Sequence, residues 1–113
     1  MTDLANLAAL EAAAALVHSV VPPTPQYRWP LLSRRVGAEI WVKHENHTPI
    51  GAFKVRGGVV YLGDLKRSRP DIKGVVTATT GNHGQSIAYS AAALGLAATI
   101  VVPKDNNSGK NRA

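Results

Sequence analysis

The sequence predicts an α/β fold, and three stretches carry that prediction. Gly74-Val75-Val76-Thr77-Ala78-Thr79 and Ala97-Ala98-Thr99-Ile100-Val101-Val102 are compact runs, nearly continuous in apolar or small residues. Strands of a parallel sheet covered on two faces read this way. Between them, residues 82–94 read as a helix, with Gly84, Ala88, Ala91 and Gly95 as a small-residue stripe that permits close approach to a sheet. Strand, helix and strand within about thirty residues form a right-handed βαβ unit.

The preceding elements follow from similar signals. Residues 3–20 read as a helix, with Thr2 or Asp3 available as its cap. Leu7, Leu10, Ala14, Val17 and Val21 recur at helical spacing and form a docking stripe, and Pro22-Pro23-Thr24-Pro25 stops the helix. His18, near its end, reads as structural rather than catalytic. Residues 26–33 are expected to be short and extended, Gly37 opens a turn, and residues 39–45 read as a strand of mixed character. Asn46, His47, Thr48 and Pro49 form a polar loop into a second helix beginning near Lys54. Val55, Val59, Leu62 and Leu65 are its packing stripe, and Pro70 closes it with a turn. There are no internal repeats and no low-complexity linker.

Composition excludes several classes. A chain of 113 residues, 45% hydrophobic and 18% charged, can bury a modest core. No apolar run approaches the length of a membrane span, and Met1-Thr2-Asp3-Leu4 lacks the basic region of a secretion signal. No cysteine is present, so neither a disulfide framework nor a thiolate metal site is expected. A soluble cytoplasmic protein is the default. The net charge of +6 is scattered except in Lys66-Arg67-Ser68-Arg69 and in the tail from Lys104 to Arg112. Neither run is interleaved with aromatics and no nucleic-acid-binding spacing occurs, so a solvated basic face is expected and no nucleic acid partner.

Two stretches carry chemistry. Thr48-Pro49-Ile50-Gly51-Ala52-Phe53-Lys54-Val55-Arg56-Gly57-Gly58 places one lysine in the first turn of a helix and two glycines one turn further on. Residues three and four apart share a helix face, so Gly57 and Gly58 would leave open space beside Lys54. Each glycine inside a helix costs about 1 kcal/mol relative to alanine, and a flat ring lying beside the amine is a reason for the pair. A helix start also suits a nucleophilic amine, because its positive end disfavours a further positive charge. The alternative is an ordinary first-turn lysine with its head in water. The second stretch, Thr79-Thr80-Gly81-Asn82-His83-Gly84-Gln85, leaves the carboxyl end of a parallel strand and enters a helix, where open α/β sheets place their ligands. Free N–H groups and hydroxyls there can receive a carboxylate or phosphate, Asn82 offers an amide donor, and His83 a donor or proton relay. The alternative is a simple helix cap made by Thr80 or Asn82.

Lys43-His44-Glu45-Asn46, then Gly51-Ala52-Phe53-Lys54-Val55-Arg56-Gly57, then Thr80-Gly81-Asn82-His83-Gly84-Gln85 resembles the fold-type II pyridoxal-phosphate enzymes, most closely the threonine/serine dehydratases. The resemblance covers about residues 22–113, and the three motifs in this order and spacing are far more specific than any one alone. It implies a three-layer, doubly wound parallel sheet of the tryptophan synthase β-like kind, truncated in this chain. Residues 1–50 would carry the N-terminal helix and the start of the large cofactor domain. Residues 51–113 would begin the small α/β domain with the lysine helix and substrate loop, the remainder of both domains being absent.

The resemblance also implies roles. Lys54 would hold pyridoxal 5'-phosphate covalently, Asn82 would hydrogen-bond its phenolic oxygen, and Phe53 would lie against its ring. Thr79, Thr80, Gly81, Asn82 and His83 would bind the substrate carboxylate. Ala52 departs from the serine common before the Phe-Lys pair, which removes a hydroxyl near the cofactor phosphate. The implied reaction is β-elimination of L-threonine or L-serine to a 2-oxo acid and ammonia, with Lys54 as general base. Serine racemisation and hydroxyaspartate dehydration share the same loop and stay open, as does a non-catalytic remnant acting as a binding module. The family's glycine-rich phosphate loop and its partner to the pyridine nitrogen do not occur, so the chain is expected to bind cofactor weakly and to catalyse little alone. Family members are usually homo-oligomers when full length. His44, Glu45 and His47 mimic a metal cluster only superficially, and no metal is expected. Arg56 reads as an ion-pair partner for Glu45.

Overall fold

The computed structural model describes residues 6–112. Helix α1 (Leu7–Val20) starts where the Asn6 side chain accepts the N–H of Ala9 at 2.9 Å, the usual work of an N-cap oxygen. The caps expected at Thr2 and Asp3 lie outside the described residues. At the other end the backbone turns extended at Val21, directly before Pro22 and Pro23.

Strand β1 (Gln26–Arg28) pairs antiparallel with β2 (Trp41–Lys43), Tyr27 opposite Val42. The connection departs from the extended chain expected over residues 26–33, because helix α2 (Pro30–Val36) takes in Ser33. Pro30 occupies its first position, where a fixed φ suits a helix start, and Gly37 ends it in the left-handed region at φ 75°. A helix of seven residues is too short to display a periodic apolar pattern. The strand expected over residues 39–45 is likewise shorter, since Glu45–His47 forms a 3-10 turn.

The second half is the βαβ unit with a helix before it. Helix α3 (Lys54–Ser68), strand β3 (Gly74–Ala78), helix α4 (Asn82–Ala93) and strand β4 (Ala97–Val101) follow in order, then the short α5 (Ser108–Arg112). β3 and β4 pair in parallel, Val75 beside Ala98 and Thr77 beside Ile100, so the fold is α/β with a parallel sheet. α4 lies on this sheet and α3 lies against α4. At Gly84 the approach is close: a Cβ there would come within 2.5 Å of Thr79 Cγ2 and 2.8 Å of Ile100 Cγ2. Gly95, by contrast, meets nothing and serves as the left-handed residue after α4.

Two apolar clusters hold these elements. Val17 and Val21 pack with Val55 and Val59, joining α1 to α3. Leu62, Ile87, Ala91 and Leu96 pack between α3, α4 and the start of β4, with Val75 and Ile100 at the margin. The α1 stripe docks only through its C-terminal half, since Leu7 and Leu10 are 70% and 61% exposed. The sequence leads one to expect strands covered on both faces; among the described residues the face bearing Val76 and Val101 is open. Apolar continuity in a strand reports which faces can be buried, not which neighbour is at hand. Among the described residues no helix is long and apolar enough to cross a membrane.

Candidate active site

The lysine is delivered by a loop that Thr48 organises. Its buried Oγ1 accepts the N–H of Ala52 at 2.9 Å and donates to the Ala52 carbonyl at 2.8 Å. Gly51 makes the reversal possible at φ 65°, a conformation that a β-carbon disfavours. Phe53 and Lys54 leave this loop exposed, and Lys54 is the first residue of α3.

The start of α3 is anchored on its other side through Arg56. Its Nε donates to Glu45 Oε2 at 2.7 Å and its Nη2 to Glu45 Oε1 at 3.0 Å, a two-pronged pair. Thr24 Oγ1 donates to the same carboxylate at 2.5 Å, and the Lys43 ammonium donates to the Thr24 carbonyl at 3.2 Å. The Arg56 hydrogen bond is the main cause that holds the Glu45 carboxyl down at about 2; burial opposes it, and Thr24 and the Arg56 and Lys43 charges add to it. Glu45 in turn raises the Arg56 guanidinium above its ordinary value, against burial. The Lys43 to Asn46 motif is therefore an anchor for the lysine helix. His44 does not point to a metal either. It accepts the Trp29 Nε1–H at 3.4 Å and packs among Tyr27, Trp29 and His47. Among the described residues no group of three or more His, Cys, Asp or Glu could hold a metal ion.

α4 flanks the lysine. Ser86 Oγ donates to the Lys54 carbonyl at 2.7 Å; a Cβ on Gly58 would lie 2.3 Å from Ser86 Oγ and 2.8 Å from Ser90 Oγ; Leu62 meets Ile87 and Ala91. The two helices thus run side by side in the same direction, with their N-terminal ends together. This splits the glycine pair. Gly57 leaves open space as expected, since a Cβ added there would meet nothing within 4 Å, whereas the Gly58 side is filled by the two serines.

The loop after β3 stands at that shared end. The Gly81 N–H donates to Thr79 Oγ1 at 3.1 Å, and no side chain caps α4, so neither Thr80 nor Asn82 plays the capping role that its type allows. Positive helix ends with uncapped amides favour an anion. One His83 ring nitrogen, Nε2, lies 3.1 Å from Thr77 Oγ1. An open groove of about 420 Å³ has Phe53, Lys54, Gly57, Tyr61, His83 and Ile87 in its lining, with Arg56 and Gly58 at the same wall. That is room for a small-molecule ligand.

The expected site residues therefore divide. Phe53, Lys54 and His83 share the groove. Thr79 and Gly81 border a separate cavity of about 200 Å³ with Gln85, Ile100, Asn106 and Asn111. Thr80 and Asn82 are exposed on the loop and helix start. Asn82 precedes Ser86 by four residues, so it shares the α4 face that meets Lys54. Sequence reasoning missed Thr48, Tyr61 and Ser86. Tyr61 was within reach, seven residues after Lys54 on the same helix face; nothing local marks Ser86 as a partner of α3.

The family model described as pyridoxal-phosphate dependent enzyme matches residues 17–113. The biosynthetic L-threonine dehydratase of Corynebacterium glutamicum is 37% identical over 101 residues, which are 89% of this chain and 23% of that protein. The L-threo-3-hydroxyaspartate ammonia-lyase of Saccharomyces cerevisiae is 45% identical over 92 residues, 79% of this chain and 27% of that protein. Maize serine racemase superposes with a TM-score of 0.86 at 30% identity, covering 96% of this chain and 32% of that one. The chain spans about a quarter of the length of these curated relatives. With the lysine groove, the parallel βαβ unit and a family match over most of its length, the chain belongs to the pyridoxal-phosphate-dependent enzymes.

Proposed function

We propose that this chain supplies the lysine and the substrate loop of an ammonia-lyase that converts L-threonine or L-serine to a 2-oxo acid and ammonia. The observation that carries the reading is that Lys54 and His83 share one groove at the paired N-terminal ends of α3 and α4. The fit to the family's cofactor rests on Gly57, whose open side leaves room for a flat ring beside the amine.

In this reading Lys54 would hold pyridoxal 5'-phosphate through Nζ, with Phe53 and Asn82 as the residues that would flank it and bond to it. Bound there, the cofactor supplies an electron sink for the bond broken at the substrate α-carbon. The Thr80 hydroxyl and the uncapped Asn82 and His83 amides hold the substrate carboxylate and so fix the α-carbon, while Thr79, accepting the Gly81 N–H, shapes the turn that presents them. Once the substrate amine has displaced it, the freed Lys54 amine takes the α-proton as general base, and His83, steadied by Thr77, gives a proton to the departing β-hydroxyl, which leaves as water. Residues 1–50 and 51–113 belong to two domains of the whole enzyme, bridged here by the Glu45–Arg56 pair and the α1–α3 cluster. A second reading, hydroxyaspartate as substrate, is favoured by the 45% identity to the yeast ammonia-lyase.

The test is turnover of L-threonine, L-serine and L-threo-3-hydroxyaspartate by the whole enzyme carrying these residues, with pyridoxal phosphate, scored as 2-oxo acid released. Lys54→Ala is expected to lower the rate by about a thousandfold or more. Release of 2-oxo acid from hydroxyaspartate alone supports the second reading, and conversion of L-serine to D-serine without 2-oxo acid contradicts both.

A further inference from the structure

We infer that Ser86 is a positioning residue for Lys54, an inference that rests on the lysine reading above. Ser86 is 1% exposed, and its Oγ donates to the Lys54 carbonyl at 2.7 Å. A serine inside a helix ordinarily turns its hydroxyl back to a carbonyl of its own preceding turn. Here it reaches the neighbouring helix and selects the backbone of the one residue whose amine must be aimed. Gly58 makes this possible, because a Cβ there would lie 2.3 Å from Ser86 Oγ and separate the helices. The bond fixes the first residue of α3 against α4 one turn below Asn82, and the neighbouring row of α4 carries His83 and Ile87, which share the groove with Lys54. Ser86 thereby sets the distance between the lysine and the groups that flank it, without touching a ligand itself.

The structure provides a matched control. Ser90 lies against the same Gly58, is 0% exposed, and its Oγ has no hydrogen-bond partner among the described residues. Ser86→Ala and Ser90→Ala remove the same atom from the same interface, but only the first removes a bond to Lys54. The experiment mixes each protein with pyridoxal phosphate, reduces with borohydride at timed intervals, and follows label on the Lys54 peptide by mass spectrometry. It is run at a temperature at which circular dichroism shows all proteins folded. Ser86→Ala is expected to slow capture at Lys54 about fivefold or more, the loss of one well-formed hydrogen bond, while Ser90→Ala captures at the unsubstituted rate. Equal capture rates for both variants, whatever their melting temperatures, overturn the inference. Absence of Lys54 label in the unsubstituted protein overturns the lysine reading and this inference with it, whereas label at Lys54 with equal variant rates leaves that reading standing.

Discussion

Glu45 sits between Arg56, Lys43 and the Thr24 hydroxyl, and its carboxyl is held at about 2, below an ordinary 4.5. A carboxylate depressed in the folded state contributes stability that is fully present above pH 4.5 and is lost as pH falls through about 2. With a fifth of its side chain still exposed, the contribution is on the order of 2 kcal/mol. Glu45→Gln should therefore be less stable than the unsubstituted protein by about that amount at neutral pH, with the gap closing as pH falls to about 2, as urea unfolding across that range would record. Arg56 opposite Glu45 was readable from two charges flanking the lysine loop. Gly57→Ala should stabilise α3 by up to about 1 kcal/mol, because alanine is the better helix former, yet slow cofactor capture at Lys54 by placing a methyl group in the groove. Melting temperature and timed borohydride trapping separate the two effects.

Between elements, the neighbouring glycine behaves in the opposite way. Gly58→Ala drives a methyl into Ser86 and Ser90 and should cost about 2 kcal/mol in urea unfolding. The glycine pair announced a constrained helix, but which member faced open space depended on serines carried by a later helix. A pattern along one helix cannot show what the next helix brings to it. Thr48 teaches the same lesson for loops: both of its bonds close on Ala52 within four residues, but a threonine before proline has many local uses. Thr48→Val should destabilise by about 1–2 kcal/mol through the two lost bonds, measured in the same way. The βαβ unit was legible because its strands are β-branched and its helix carries small residues at helical spacing. α2 was not, because its two signals, Pro30 and Gly37, mark a beginning and an end without a periodic stripe between.

On the scale of the whole molecule, one arrangement organises the rest. The α1–α3 cluster and the Glu45–Arg56 pair hold α3 from one side, α4 holds it from the other, and the result is two helix N-termini meeting at Lys54. The motifs made the residues of that meeting point legible, and the structure supplies what holds them there. The division of the loop residues between two cavities was beyond the sequence, because it depends on how Asn106 and Asn111 fold back toward α4. The proposed chemistry requires that Lys54 be the amine that the cofactor selects among the chain's lysines. Borohydride reduction of the protein with limiting pyridoxal phosphate, followed by peptide mass mapping, measures that choice directly. The label is predicted on Lys54, and to be lost in Lys54→Ala. Label spread evenly over the exposed lysines, and unchanged in total by Lys54→Ala, would contradict it.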